Sequence, residues 1–378
     1  MTYGTFLRLL AIIRPYQSAE CRGMGSRNYR HVTNGRIDFS TRLACALRIF
    51  AGGDAPDIIS TYGISKTAVH DSVDFIIEAV NKCPSLAIKF PTDHDEQKKI
   101  TDGFKAKSKV GFDICAGCID GMLVWIEKPT DQECDFVNVG SKKFFCGRKC
   151  KFGLNLQATC DHEKRFLNIS IKFPGATSDF LSFEGSEFRQ LLETPGFLAL
   201  GLCIFGDNAY VNKFYMATPF PMTGPSSPKD NYNFFHSQLQ INIECAFGIL
   251  VQRWGILRRA MTSRFTIDKI CRMVQCLCQL HNFLIDSRID AAPPSNHTIQ
   301  DQLNLELNGA ISLTRVIAEE LDGRSVLLPS HLLNGGAHFD DDPDRAIRRG
   351  NRGVILPRDA MYVCIQDGDF RRSPRRID

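Results

Sequence analysis

Gly111-Phe-Asp-Ile-Cys115-Ala-Gly-Cys118-Ile-Asp120-Gly121-Met-Leu-Val-Trp-Ile-Glu127 is the stretch at which the chain changes its period. Upstream of it, apolar residues recur at helical spacing. Within it they form short continuous runs, as buried strands do. Asp120-Gly121 falls between the runs 111–119 and 122–127, and that dipeptide is a hairpin signal. The reading is two strands, with Asp120 at the end of the first. Two more strands, 152–160 and 166–173, flank 161–165 as a second hairpin, which Pro174-Gly175 ends. Residues 178–192 read as helix. Residues 198–205 read as a buried strand closed by Gly206-Asp207, and 219–235 as a loop rich in Pro, Ser and Asn. From about Ser237 to Leu257 runs an amphipathic helix with the stripe Leu239, Ile243, Ala246, Phe247, Leu250, Trp254 and Leu257. A second helix covers 267–285. Strands, helix, strand, helix make an α/β domain over 109–286, with mixed strand directions because it begins on hairpins.

On the N-terminal side, residues 1–82 form a helical module. Leu43, Ala46, Leu47 and Phe50 share a helix face that Gly52-Gly53 stops. A short helical segment, 55–61, leads to the turn Tyr62-Gly63-Ile64, and Ser65 is placed to cap a third helix. This is the outline of a helix-turn-helix. Lys66, Thr67, His70 and Asp71 would face outward, a face of mixed charge that suits DNA contact and plain packing equally. Residues 83–108 read as a polar connector with Pro84 and Pro91. Residues 287–378 read as a linker and a poorly structured tail, apart from a short helical stretch around 312–321.

The 378 residues are 43% hydrophobic and 23% charged, which excludes a chain disordered throughout. No apolar run approaches the ~18 residues of a membrane span. Arg8 interrupts the N-terminal apolar stretch and no small-residue cleavage site follows, which speaks against a secretory signal. The 15 cysteines then read as reduced thiols. Cys115/Cys118 and Cys146/Cys150 have spacings that zinc uses, and a zinc-binding interaction module is one reading of them. The alternative is that they are small buried hydrophobes, with Cys115 and Cys118 on opposite faces of a strand.

Three carboxylates stand in positions suited to chemistry. Asp120 and Asp207 end strands, and Glu244 lies mid-helix beside the apolar stripe. Strand-end side chains project into the crevice where open α/β sheets bind ligands. Carboxylate oxygens are the donors that Mg²⁺ or Mn²⁺ favours, and a metal pair can activate water at a phosphodiester. Taken singly, Asp before Gly is usually a turn and a helical Glu is usually solvated.

The flanking residues decide between these readings. Cys118-Ile-Asp120-Gly121, Gly206-Asp207-Asn-Ala-Tyr210 and Asn242-Ile-Glu244-Cys-Ala-Phe247-Gly248 resemble the three signatures of PIF/Harbinger-type transposases, members of the DDE superfamily of endonucleases. The resemblance extends from about Phe6 to Ile285. It takes in Arg42-Leu-Ala, Phe173-Pro-Gly175 with Asp179, Trp254 and Leu280-His281-Asn282. It implies a ribonuclease H-like mixed sheet flanked by helices, a catalytic and metal-binding triad on Asp120, Asp207 and Glu244, and Mg²⁺ or Mn²⁺ as cofactor. It also implies DNA as substrate and a separate Myb-like DNA-binding protein as partner. One departure stands out: Gln240 occupies the place, one turn before Glu244, where relatives often carry a basic residue that could contact a DNA phosphate. His281 is expected to be a packed core histidine. Asp179 is placed to cap the helix that follows it or to line the site, and the cap is the preferred reading.

Charge is distributed unevenly. The formal net charge is only +4. Residues 141–172 hold Lys142, Lys143, Arg148, Lys149, Lys151, Lys164, Arg165 and Lys172 against two acids. Residues 251–275 hold Arg253, Arg258, Arg259, Arg264, Lys269 and Arg272 against one. The rest of the chain is therefore net acidic. Basic segments framing the acids make DNA the expected partner, and Phe370-Arg-Arg-Ser-Pro-Arg-Arg376 suggests import into the nucleus, with the cytoplasm as a second location. The expected function is a metal-dependent DNA endonuclease or transposase, in a homo-oligomer or alone. The alternative is a domesticated, catalytically silent regulator that binds DNA or protein with the same fold.

Overall fold

The structure is a computed structural model. It describes residues 1–18, 37–221, 224, 227–262, 265–291, 356–367 and 370. The helical stretch expected around 312–321 and the basic tail after Phe370 lie outside the described residues.

Strand β1 (Cys115–Trp125) runs unbroken through Asp120-Gly121. The expected hairpin at that dipeptide is not formed. Instead, all of residues 118–125 pair antiparallel with β3 (Lys151–Cys160), Asp120 opposite Ala158 and Gly121 opposite Gln157. The reason for the glycine is close approach: a Cβ at Gly121 would overlap the Asp179 carboxylate. Asp120 is thus mid-strand rather than at a strand end.

The hairpin of β3 and β4 (Phe166–Pro174) is present as expected. The short β2 (Phe145–Cys146) pairs with the start of β3, on the edge that β4 uses further along. On the other side of β1, β5 (Cys203–Phe205) and then β6 (Met216–Ala217) join in parallel. The six strands form one mixed sheet in the order β2-β3-β1-β5-β6, with β4 beside β3. Antiparallel strands on one side of β1 and parallel ones on the other, flanked by helices, are the expected ribonuclease H-like α/β arrangement.

The helices around the sheet are α1 (Tyr3–Ile13), α2 (Phe39–Phe50), α3 (Ala55–Tyr62), α4 (Lys66–Lys82), α5 (His94–Lys107), α6 (Asp131–Val137), α7 (Asp179–Glu184), α8 (Glu187–Glu193), α9 (Pro228–Arg253), α10 (Ile267–Ala291) and α11 (Pro357–Asp367). Several depart from expectation: the helix read over 178–192 is two, α7 and α8, and α6 lies where none was read. The connector 83–108 contains α5, because Asp93 caps it and Phe104 is fully buried at its far end. The loop expected over 219–235 ends at Ser227, whose side chain caps α9 by accepting from the Asp230 N–H, and Pro228 opens the helix. In the C-terminal region, α11 packs Met361 and Ile365 into the core and Tyr362 against Phe220.

The helix-turn-helix outline of α2–α4 is formed as read. Gly63 is left-handed at the end of α3, with φ +62°, and the Ser65 hydroxyl accepts from the Ala68 N–H. Buried Arg42 donates to Ser72 and lies over the Phe75 ring, so it fixes α2 to α4. These helices share one apolar core with the sheet domain, from Leu9 and Ile13 through Phe50 and Trp254 to Leu277. Trp254, just past the end of α9, meets Phe50 edge-on at 6.3 Å. Lys66, Thr67 and Asp71 are exposed and His70 is partly so.

Candidate active site

Helix α9 is held against β1 by two side-chain bonds. The Gln240 amide donates to the Ile119 carbonyl at 2.6 Å, and the Cys118 thiol donates to the Leu239 carbonyl at 3.2 Å. Gln240 is buried. It therefore does not stand in for a phosphate-contacting base; it joins helix to strand immediately before Asp120. Glu244 follows by four residues, one turn on along the same helix face. Spacing on α9 thus brings Glu244 toward Asp120.

Asp207 is positioned by a different set of contacts. It follows β5 after Gly206, and its carboxylate accepts from the Ala209 N–H at 3.0 Å in a short turn. Buried His236 of α9 stacks parallel on Phe205, with ring centres 4.7 Å apart, and bonds the Ala217 carbonyl of β6. Burial drives His236 down to about 4, so it is a neutral spacer between α9 and the parallel strands.

The three acids share one electrostatic environment. Asp120 is raised to about 7, chiefly by burial, and the charges of Asp207, Asp179 and Glu244 add to that against the bond from the Gly121 N–H. Burial and the charge of Asp179 raise Asp207. Glu244 lies open to solvent by area, yet the surrounding protein desolvates it in part, and that effect followed by the Asp207 charge raises it too.

A fourth carboxylate belongs to this group. Asp179 was expected to cap α7, but Ser178 does so, accepting from the Leu181 N–H. Asp179 instead turns inward against Gly121. One oxygen, Oδ1, accepts from Asn155 at 2.9 Å and from Gln157 at 3.0 Å. Gln157 also donates to Asn155 and accepts from the buried Tyr210 hydroxyl at 2.7 Å. Tyr210 is pushed well up by burial and by Asp120, Asp179 and Asp207, and so remains a neutral donor. Asn155 and Gln157 were not singled out in sequence, and Tyr210 entered only as the end of the string that begins at Gly206. For Asn155 and Gln157 the available signal was polar residues at alternate positions of a strand that is buried from Gly153 onward.

The other residues in question are structural. His281 is buried, donates to the Lys164 carbonyl at 2.8 Å and packs on Phe166 at 4.8 Å. Burial, aided by Arg253, lowers it to about 3. Asn282 pairs with both the N–H and the carbonyl of Phe166, at 2.8 Å each. The Leu280-His281-Asn282 string is thus a clamp between α10 and β4.

Cys115 and Cys118 are not on opposite faces. A register shift next to Cys115 brings their sulfurs to 3.9 Å, deep in the core. Burial raises the Cys118 thiol well above its usual range, the reverse of what a zinc thiolate requires.

Of the two basic segments, the second is largely occupied by the fold. Arg258 donates to carbonyls at the end of α9, Arg259 to Gly52 and Asp54, and Lys269 pairs with Asp74. The first leaves Lys142, Lys143, Arg148, Lys149 and Lys151 exposed, with Arg148 at the acids.

Among the described residues, no group of three or more His, Cys, Asp or Glu side chains is already gathered to hold a metal ion. The four acids are neighbours whose closure on one cation takes side-chain movement. Their donor chemistry fits a hard divalent cation: oxygen only, mutually repelling, partly desolvated and on rigid backbone.

Residues 119–282, from the residue before Asp120 to Asn282, match the family model described as DDE superfamily endonuclease. Two proteins of Arabidopsis thaliana are similar. Protein ALP1-like is 25% identical over 271 residues, 68% of this chain and 64% of its own length. Protein antagonist of like heterochromatin protein 1 is 28% identical over 262 residues, 66% of this chain and 63% of its own. The chain thus spans less than two thirds of the length of these relatives. No solved structure matches. Motifs, sheet order and matched segment agree: residues 119–282 carry a domain of the DDE superfamily endonuclease type.

Proposed function

We propose that the protein is a divalent-metal-dependent DNA endonuclease of the transposase type, with Asp120, Asp207 and Glu244 as its catalytic, cation-holding carboxylates. The observation that carries this reading is the electrostatic group itself. Burial, and after it the charges of neighbouring carboxylates, raise the proton affinity of the acids on β1, after β5 and on α9, beside a loop of exposed Lys and Arg. A fold tolerates such repulsion at a functional site, where a bound cation relieves it.

Asp120, Asp207 and Glu244 would hold Mg²⁺ or Mn²⁺, which when bound supplies Lewis acidity to the scissile phosphate and the attacking water. β1 pairing fixes the backbone of Asp120 and a short turn that of Asp207, so closure on the cation needs side-chain movement only. Lys142, Lys149 and Arg148 would neutralise backbone phosphates on either side of the cut. Water adds to phosphorus as the bond to the 3′ oxygen breaks. The products are a 3′-hydroxyl and a 5′-phosphate, and the 3′-hydroxyl is the group that strand transfer would use. Nuclear location and a Myb-like partner for sequence recognition belong to the same reading.

A second reading is supported by one relative's name, antagonist of like heterochromatin protein 1. It is a catalytically silent regulator that works through a protein partner. One experiment separates the two: purified protein, Mn²⁺ or Mg²⁺, and duplex DNA carrying candidate element ends. Cleavage that Asp120→Asn reduces by about 10³-fold or more supports the nuclease. Cleavage equal in wild type and variant, or none with any end or partner, would leave the regulator.

A further inference from the structure

Arg148 lies in the turn between β2 and β3. Its side chain is 76% exposed, and Nη2 stands 3.9 Å from Asp179 Oδ2. That separation is too long for a direct hydrogen bond, so the pair is loose and exchangeable. The partner is the opposite in character. The Asp179 side chain is only 14% exposed, and Asn155 and Gln157 bind its other oxygen, Oδ1. Oδ2 is therefore held facing Arg148, and Asp179 cannot follow the guanidinium if it swings away. The Arg148 charge also reaches Asp207. An exposed, loosely paired cation thus faces a hydrogen-bonded carboxylate within the acid group, on a turn whose neighbours Lys149 and Lys151 are exposed.

We infer that Arg148 is the resident counter-cation of the acid site: it rests on Asp179 and Asp207 while no divalent cation is bound, and moves to a DNA phosphate when one binds. This rests on reading Asp120, Asp207 and Glu244 as cation-holding carboxylates. A divalent ion among those oxygens offsets the same negative charge that holds Arg148, so the two cations compete. Once displaced, the guanidinium is a long exposed donor at the mouth of the site, with the forked geometry that suits a phosphate. Arg148 is accordingly a positioning residue that couples loading of the site to grip on DNA.

The test uses the full chain and Mn²⁺ alone as probe, with free Mn²⁺ followed by electron paramagnetic resonance. Arg148→Gln should bind Mn²⁺ about two- to fivefold more tightly than wild type, because a competing weak ion pair is gone. In an Asp179→Asn background the same substitution should have a smaller effect. Duplex DNA titrated in Ca²⁺ should lose about one unit of salt slope in Arg148→Gln, but not when a chelator replaces Ca²⁺. Unchanged or weaker Mn²⁺ binding by Arg148→Gln, with wild type binding normally, overturns the exchange and leaves the nuclease reading intact. Wild type that binds no Mn²⁺ overturns both. Arg148 is exposed on a turn, so unchanged melting curves can verify that the variant is folded.

Discussion

The acid group and the α10–β4 clamp are both polar, and both carry motif residues, yet they are built to opposite rules. At the clamp every buried group has a partner: Asn282 takes both backbone groups of Phe166, and His281 reaches the Lys164 carbonyl. At the acid group four carboxylates face one another, and only Asp179 is tied down by side-chain donors. One region spends its polarity on the fold, while the other leaves most of its charge unneutralised, with only the loosely paired Arg148 against it. The difference shows in the direction of titration. His281 is driven down to about 3 by burial, while Asp120 is driven up to about 7 by burial and like charge.

The largest effect that would break this contrast is at the acids. Asp207→Asn should abolish cleavage, by about 10³-fold or more, while leaving the melting temperature equal or higher, because it removes a repelling charge. A melting temperature lowered by many degrees would mean that Asp207 is structural and that the two regions obey one rule. The reverse outcome is expected at the clamp. Asn282→Ala strands two buried backbone groups and should cost about 2–4 kcal/mol, read from denaturant unfolding. A small cost there would show that the Phe166 groups find other partners.

A pH series sharpens the comparison. Asp120 holds its proton up to about 7 in the folded state and releases it near 3.8 when unfolded. Between those values the folded chain binds more protons, so this site loses stability as pH rises through 4 to 7. His281 and His236 act in the opposite sense. They are held near 3 and 4 when folded and titrate near 6.5 when unfolded, so they lose stability as pH falls below 6.5. Asp120→Asn should therefore flatten the loss toward neutral pH, and His236→Gln the loss toward acid. Mn²⁺ should raise the melting temperature at pH 8, and the rise should shrink below pH 7, where the proton competes for Asp120. A metal-induced shift that is equal at pH 5 and pH 8 would place binding elsewhere.

How much of this could be read from the chain depends on the kind of signal. The helix-turn-helix outline and its Ser65 cap were legible because capping is local. The order and spacing of the three acid strings were legible too. Asp120-Gly121 was misread because a glycine needed for close packing has the same letter as one needed for a turn. Only the Asp179 carboxylate against its Cα tells them apart, and that contact spans 58 residues of sequence. Asp179 was misread because two neighbouring residues could both cap α7, and Ser178 took the role. Asn155, Gln157 and Tyr210 carry no local sign of what they hold, since their partners come from other elements.

Gln240 gives the smallest expected effect and the finest test of how the two regions meet. Read alone, it marked a lost phosphate contact; in the fold, its amide holds α9 to the Ile119 carbonyl, one residue before Asp120. It is a fully structural bond supporting the acid group. Gln240→Ala removes one buried hydrogen bond and leaves one carbonyl short of a donor, about 1–2 kcal/mol by thermal or denaturant unfolding. Asp120 and Glu244 keep their side chains, so any further change reflects their spacing. Mn²⁺ affinity should fall along with stability, because the turn that carries Glu244 is no longer fixed to β1. Gln240→Glu keeps the shape but cannot donate when ionised, and adds a fifth negative charge near the acids, so it should lose more than the alanine. If Gln240→Lys instead strengthened DNA binding at no cost to stability, the side chain would have reached solvent and the helix–strand bond would be dispensable.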